Sequence, residues 1–181
     1  IGSSTGGPSA LATLFTEIPA DLPAGFIVVQ HMPAGFTKSL AERLDSLSPM
    51  RVKEAEEKDR LRPGLVLVAP GDYHLQVGRL GVIHLFWGPR VCGVRPAADI
   101  TMESVARVYK EKAIAIVLTG MGVDGTRGAS AIKEAGGSTI AEHESSCIVY
   151  GMPAALVEAG KADQVLPIQA IARALIQELE D

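Results

Sequence analysis

The sequence predicts a doubly wound α/β fold, in which a mostly parallel β-sheet carries helices on both faces. Short apolar strands alternate with segments of helical periodicity along most of the chain. The 19 glycines and 11 prolines suit many tight strand–helix turns, and only 4% of residues are aromatic, which disfavours an aromatic-rich sandwich. The 181 residues, 47% of them hydrophobic, suffice for one core. We therefore expect a single domain over residues 1–181.

The elements can be assigned in chain order from local patterns. Pro8 stands where the first turn of a helix tolerates proline, and apolar residues recur at helical spacing from there to Pro19. Residues 75–86 alternate around a Gly-Arg-Leu-Gly turn, which predicts one antiparallel hairpin. Further helices are predicted at residues 37–47, 100–112, 126–135, 153–159 and 167–179, and strands at residues 26–30, 65–70, 113–119 and 138–141.

Composition excludes several classes of function. The formal net charge is −4 and no Lys/Arg run interleaves with aromatic residues, so nucleic acid is not an expected partner. The longest apolar stretches are much shorter than the roughly 20 residues of a membrane span, so direct membrane insertion is not expected. Cys92 and Cys147 lie far apart, which favours neither a disulfide framework nor a zinc site. The cysteines indicate a reducing compartment, and we expect a cytoplasmic protein.

A candidate nucleophile lies near the start of the chain. Residues 2–6 read Gly-Ser-Ser-Thr-Gly, the Gly-x-Ser-x-Gly spacing of a nucleophile elbow, and a helix follows. Such a turn is too tight for a Cβ on either side of the serine, and it exposes the Ser4 hydroxyl beside helix N–H groups. Ser/Thr/Gly clusters also form ordinary caps and loops, so the pattern needs a base nearby to carry weight.

His31 is the best candidate for that base. In a doubly wound sheet, ligands bind beyond the carboxyl ends of the strands, and His31 directly follows the apolar run at residues 26–30. His74, which follows a turn, is the second choice. A histidine at a strand end is often only a satisfied polar residue, and the pairing with Ser4 is what favours catalysis.

Asp124 is the predicted partner of His31. It follows the strand at residues 113–119 and can accept the imidazole Nδ1–H, holding the ring and stabilising its charged form. Asp72 is the alternative, although a Pro-Gly-Asp turn often uses its aspartate to bond its own backbone. The glycines around Asp124 indicate a loop that packs closely against a neighbour.

The same loop supports a rival interpretation. Residues 120–125 form a Gly-x-Gly-x-x-Gly pattern after a strand and before a helix, and Glu142 lies near the distance expected for a ribose-binding carboxylate. This is a dinucleotide-binding signal. Against it, Asp124 would stand beside the pyrophosphate, and the motif lies too late in the chain for the remaining mononucleotide units.

Five segments of the chain belong together. They are Ile-Gly-Ser-Ser-Thr-Gly-Gly-Pro at residues 1–8, Gln-His-Met-Pro-Ala-Gly-Phe at 30–36, Ala-Pro-Gly-Asp at 69–72, Leu-Thr-Gly-Met-Gly-Val-Asp-Gly at 118–125, and Tyr-Gly-Met-Pro at 150–153. Together they resemble one family, the chemotaxis protein-glutamate methylesterases, and specifically their CheB-type catalytic domain. Singly these blocks are weak, but five in this order are specific.

The resemblance implies hydrolysis of γ-glutamyl methyl esters on the cytoplasmic helices of chemoreceptors, giving glutamate and methanol, with glutamine deamidation as a related activity. It assigns Ser4 as nucleophile, His31 as general base and acid, and Asp124 as the residue that orients His31. The oxyanion site would use the backbone N–H of Met121, with Thr5 nearby.

The resemblance also bears on the substrate cleft, on partners and on cofactors. Arg95 lies in a segment near the family's substrate cleft, and it could contact acidic groups there or be a solvated loop cation. A receiver domain is expected upstream of residue 1, and neither a metal nor an organic cofactor is required. The remaining alternatives are a dinucleotide-binding domain and a catalytically silent binding module.

Overall fold

The computed structural model describes residues 1–180 as nine strands and six α-helices, with two short 3₁₀ turns. The strands are β1 Gly2–Ser3, β2 Phe26–Gln30, β3 Arg51–Glu54, β4 Leu65–Val68, β5 His74–Val77, β6 Ile83–Phe86, β7 Ile114–Val117, β8 Ser138–Glu142 and β9 Gln164–Leu166. The helices are α1 Gly7–Glu17, α2 Phe36–Leu47, α3 Ala98–Tyr109, α4 Thr126–Glu134, α5 Met152–Glu158 and α6 Ile168–Glu180.

Seven strands form one sheet in the order β3-β4-β2-β1-β7-β8-β9, and all their pairings are parallel. After β1 the chain builds one half of the sheet through β2, β4 and β3, and it returns to the other side of β1 with β7. The topological switch point therefore lies between β1 and β7, where a doubly wound sheet opens a crevice at its carboxyl edge.

Helices cover both faces because the central strands are apolar on both sides. Along β2, Phe26 and Val28 face one core, whereas Ile27 and Val29 face the other. The first core is completed by α1, α2 and α6, and the second by α3, α4, α5 and the β5–β6 hairpin. Helices and the hairpin thus cover both faces of the sheet, so we look for a site at the ends of the strands.

The predicted fold class is confirmed, with two refinements. The main sheet is wholly parallel, and the β5–β6 hairpin forms a separate antiparallel pair. Sequence patterns missed the two-residue β1 at the centre of the sheet. They also missed β3 and β9, which lie at the two edges of the sheet and are only partly apolar. The predicted helix at residues 100–112 begins earlier, at Ala98, and its last three residues form a 3₁₀ turn.

None of the helices within residues 1–180 combines the length and the apolar character needed to cross a bilayer.

Candidate functional site

Ser4 lies at the sharp turn between β1 and α1. Its backbone N–H donates to the carbonyl of Thr119 (3.0 Å), and its carbonyl accepts the N–H of Gly7 (2.8 Å). Gly6 adopts a φ of 84°, in the left-handed region, and a Cβ built there would lie 2.7 Å from the Ile148 side chain. The position therefore requires glycine, as an elbow does.

His31 comes directly after β2 and forms a short hydrogen bond with Asp124, 2.6 Å from Nε2 to Oδ2. The two side chains are 8% and 2% exposed. The His31 backbone N–H donates to the Ser3 carbonyl (3.0 Å), which continues the β1–β2 ladder and brings His31 next to Ser4. All three predicted residues thus meet at the carboxyl edge beside the switch point.

The nitrogen that bonds Asp124 differs from the sequence-based expectation. A carboxylate only accepts, so Nε2 carries the proton and Nδ1 is left as the acceptor. The expectation was the reverse. Ser4 directly follows the adjacent strand β1 and lies beside the His31 backbone, whereas Asp124 lies in the loop after β7 and bonds Nε2. Within residues 1–180 the Ser4 hydroxyl itself makes no hydrogen bond.

Asp124 is held at the N-terminus of α3. Its Oδ2 accepts the N–H of Ala98 (2.7 Å) and its Oδ1 accepts the N–H of Asp99 (2.9 Å). Burial acts to raise the pKa of Asp124, but the hydrogen bonds from His31, Asp99 and Ala98 outweigh it and lower the pKa below its ordinary value. Asp124 is therefore an anion that can stabilise a charged imidazole.

Asp99 completes a reciprocal arrangement of two helices. Its Oδ1 accepts the N–H groups of Gly125 (3.0 Å) and Gly128 (2.7 Å), at the N-terminus of α4. Asp124 thus caps α3, the helix that carries Asp99, and Asp99 caps α4, the helix that follows Asp124. Burial and the neighbouring Asp124 charge raise the pKa of Asp99. These four hydrogen bonds fix the loop that carries Asp124.

The loop after β7 packs closely against the nucleophile. A Cβ built at Gly120 would lie 2.7 Å from the Ser4 Cβ and 2.5 Å from the Met152 sulfur, so glycine permits this approach. The carbonyl of Gly120 accepts the N–H of Met152 at 2.8 Å. The N–H of Met121, next along, donates to no group within residues 1–180. Thr5 is exposed in the elbow, and its carbonyl accepts the Thr119 hydroxyl (2.9 Å).

Glu142, which the sequence patterns assigned only to the dinucleotide-binding interpretation, holds the start of this loop in place. It is fully buried at the end of β8, and its carboxylate accepts the N–H of Thr119 (2.7 Å) and the hydroxyl of Ser146 (2.8 Å). A carboxylate ending an apolar strand is the signal that could have identified it. Thr119 in turn holds both Ser4 and Thr5.

These contacts do not fit the dinucleotide-binding interpretation. Glu142 is buried and occupied, so it cannot bind a ribose. The N–H groups of Gly125 and Gly128, which would receive a pyrophosphate, already donate to the Asp99 carboxylate.

Arg95 and Asp72 line a groove of about 380 Å³ that also includes His31, Met32 and Arg90. The Arg95 guanidinium bonds the Asp72 carboxylate and the Gly88 carbonyl, and it stacks 4.5 Å from the Trp87 ring centroid. Arg95 is therefore near the site but already neutralised. Arg90 is exposed and forms no ion pair within residues 1–180.

The two residues weighed as alternatives have other partners. Asp72 bonds Arg95, which lowers the pKa of Asp72. His74 is 1% exposed, bonds the Pro89 carbonyl (2.8 Å) and accepts the N–H of Ala97 (3.3 Å). These hydrogen bonds connect both side chains to groups other than Ser4 and His31.

One cluster brings potential metal ligands together in the described part of the chain. The thiol of Cys92 and carboxylate oxygens of Asp99 and Asp124 lie within 4.8 Å of one another. Both carboxylates already accept backbone N–H groups, so few lone pairs remain for a cation.

Comparison with known proteins agrees with this architecture. The CheB methylesterase family model matches residues 1–175. Proteins named protein-glutamate methylesterase/protein-glutamine glutaminase from Symbiobacterium thermophilum and Thermotoga maritima are 57% and 49% identical, over 97% and 98% of this chain but only 48% and 52% of their own. The chain thus spans about half the length of these curated relatives.

A solved structure shows the same fold. The crystal structure of the Thermotoga maritima CheB methylesterase catalytic domain has a TM-score of 0.95 and 49% identity, covering 98% of this chain and 95% of that one. The match over almost the whole chain leaves one assignment: this chain belongs to the CheB methylesterase family.

Proposed function

We propose that this chain hydrolyses γ-glutamyl methyl esters of chemoreceptors to glutamate and methanol, and deamidates glutamines at such positions. The observation that carries the proposal is the 2.6 Å His31–Asp124 bond beside the Ser4 elbow, at the switch point of the sheet. The relatives' names supply the substrate class.

In this mechanism Ser4 is the nucleophile. Its hydroxyl gives its proton to Nδ1 of His31 as Oγ attacks the ester carbonyl, since Nε2 already donates to Asp124. The imidazole becomes an imidazolium, whose charge the Asp124 carboxylate stabilises. The step requires the Ser4 hydroxyl to lie within hydrogen-bond reach of Nδ1 in the substrate complex.

The tetrahedral oxyanion needs N–H donors directed at it. The N–H of Met121 has no partner within residues 1–180 and follows Gly120, whose Cα position packs on Ser4. The second segment is the turn after Ser4, which contains Thr5 and leads into α1. We assign the oxyanion site to these two segments.

Collapse of the intermediate transfers the imidazolium proton to the departing methoxide, which leaves as methanol. Water then attacks the Ser4 acyl ester and gives a proton to His31, which passes it to the departing Oγ of Ser4; this regenerates the serine and releases the glutamate carboxylate. With glutamine the leaving group is ammonia. No step requires a metal or an organic cofactor.

The substrate would approach along the groove lined by His31, Arg90 and Arg95. Arg95 forms part of the groove wall, and Asp72 neutralises its charge. Arg90, which has no ion-pair partner within residues 1–180, is the cation available to an acidic neighbour of the ester. The partner would be the cytoplasmic helices of chemoreceptors, which makes the chain a cytoplasmic protein.

The relatives are about twice as long, and we propose that in the full-length protein a receiver domain precedes this catalytic domain. If that domain covers the groove, the isolated chain is active without phosphorylation, and its kcat/KM exceeds that of the unphosphorylated full-length protein. Equal or lower activity of the isolated chain would mean that the upstream part recruits substrate.

The test is release of volatile methanol from receptor membranes labelled at their methyl esters. We expect release by the parent chain and essentially none by Ser4→Ala. Robust release by Ser4→Ala, or none by the parent, contradicts the proposal.

A further inference from the structure

The side chain of Gln30 joins the two residues that would exchange the proton. Gln30 ends β2, directly before His31, and it is only 2% exposed. Its Oε1 accepts the hydroxyl of Ser3 at 2.6 Å. Its Nε2 donates to the carbonyl of Ser4 at 2.8 Å and, more weakly, to the carbonyl of His31 at 3.4 Å. One buried amide thus contacts the backbone of both nucleophile and base.

This contact lies where the backbone ladder between β1 and β2 stops. The last paired residues are Ser3 and Gln30, and the last ladder bond runs from the His31 N–H to the Ser3 carbonyl. One residue further, the N–H of Ser4 turns to Thr119 on the other side of β1. Within residues 1–180, the hydrogen bond from the Gln30 side-chain amide is therefore the one that links the Ser4 backbone to β2.

The orientation of the amide is fixed by the carbonyls of Ser4 and His31, which can only accept. A flipped amide would direct Oε1 at the carbonyl oxygens of Ser4 and His31, two acceptors facing an acceptor. The Ser3 hydroxyl, fully buried, donates to Oε1 in this orientation and so stabilises it. Space is equally constrained, since a Cβ built at Gly7 would lie 1.9 Å from Oε1.

We propose that Gln30 is a positioning residue that sets the separation and direction of Ser4 relative to His31, with Ser3 holding the Gln30 amide in its working orientation. The proposal rests on the proposed function of Ser4 and His31. Gln30 touches no reacting atom; it acts through the two backbones. Proton transfer between Ser4 and His31 depends on alignment, and a misplacement of about 1 Å can cost about 100-fold in rate.

The first test is Gln30→Met, which keeps the length of the side chain and removes both polar atoms. We expect kcat for methanol release to fall about 10- to 100-fold while KM stays within about twofold, because the groove residues are unchanged. Rates are expressed per chain able to react with a fluorophosphonate at Ser4, so a misfolded fraction does not count as slow catalysis. Gln164→Met, on the edge strand β9 far from the site, is the matched control and should leave kcat unchanged.

The second test is a double-mutant cycle. Because Ser3 acts through Gln30, Ser3→Ala should cost about threefold in kcat alone and nothing further when added to Gln30→Met. A merely structural role predicts additive losses in stability and no coupling in kcat.

A conservative variant separates the donor from the packing. In Gln30→Glu the buried carboxyl can replace the Nε2 donor only when protonated, so kcat relative to the parent should rise as the pH falls from about 8 to about 6. A ratio independent of pH overturns the proposal, and so does an unchanged kcat in Gln30→Met or a loss confined to KM. A parent chain that releases no methanol and does not react at Ser4 would instead contradict the proposed function.

Discussion

Replacing Asp124 with asparagine tests the charge beside His31 with little change of shape. Three donors converge on the carboxylate: Nε2 of His31 and the N–H of Ala98 on Oδ2, and the N–H of Asp99 on Oδ1. An asparagine has one acceptor oxygen, so its NH₂ group must face at least one of these buried donors in either orientation.

Both orientations impair catalysis, for different reasons. With the amide oxygen in place of Oδ2, His31 keeps its tautomer, but its charged form has no counter-charge. With the oxygen in place of Oδ1, the NH₂ group donates to Nε2, and the proton moves to Nδ1, which can then no longer accept from Ser4. We expect kcat to fall about 10²- to 10⁴-fold, which corresponds to about 3–6 kcal/mol at about 1.4 kcal/mol per tenfold.

The same substitution leaves one buried N–H unpaired, which costs about 1–3 kcal/mol of stability. At about 2–4 °C per kcal/mol for a domain of this size, Tm should drop measurably while the chain stays folded. The assay is methanol release together with thermal unfolding.

Asp45→Asn is the control, because in the described part of the chain Asp45 accepts one hydrogen bond, from the Val52 N–H (2.7 Å), and an amide oxygen can keep it. A loss below about tenfold for Asp124→Asn, or a larger loss for Asp72→Asn, would refute the assigned role.

Four further outcomes follow from the same geometry. Ser4→Ala and His31→Ala should each lower kcat by about 10⁴- to 10⁶-fold, and the double variant should be hardly worse, since the two act as one proton-transfer unit; additive losses would place the nucleophile elsewhere. The pKa of Asp124 is lowered in the folded chain, so the stabilising effect of its charge is present above the unfolded pKa of about 3.9 and is lost as the pH falls through the folded pKa. The difference in unfolding free energy between the parent and Asp124→Asn should therefore shrink over that acid range. Denaturation measured as a function of pH tests this. An aromatic disulfide reagent at about pH 8 should modify the exposed Cys92 well before Cys147, whose pKa burial and the neighbouring Glu142 raise to about 12. The adduct at Cys92, whose sulfur lies within 4.8 Å of the Asp124 carboxylate, should slow methanol release, and Cys92→Ser should remove that sensitivity.

The strands β2, β4, β7 and β8 could be predicted because their signals are local, whereas the central β1 is only two residues long and carries no such signal. The strand Phe26–Gln30 is a continuous apolar run, as expected for a strand buried on both faces, and its bounds were predicted correctly. The strands β3 and β9 lie at the sheet edges, where one side is open, so Arg51–Glu54 and Gln164–Leu166 lack that apolar signature. Their identity depends on pairing with β4 and β8, which is a tertiary effect.

The candidate site divides in the same way. Ser4, His31 and Asp124 could be named because each follows a strand or a glycine-rich turn. The choice of Nε2 over Nδ1 could not, because it depends on which side of His31 Asp124 comes from in space. The neutralisation of Arg95 by Asp72, 23 positions away in the chain, is likewise invisible to sequence patterns.

The central claim is that Ser4 carries the acyl group. Active-site titration with a fluorophosphonate tests it most directly, with the modified residue located by peptide mass spectrometry and the residual methanol release measured in the same samples. We predict that release falls linearly to zero as one equivalent binds, with all of the label on Ser4. Activity that persists after Ser4 is fully modified, or label on another serine in proportion to the loss, would contradict the account.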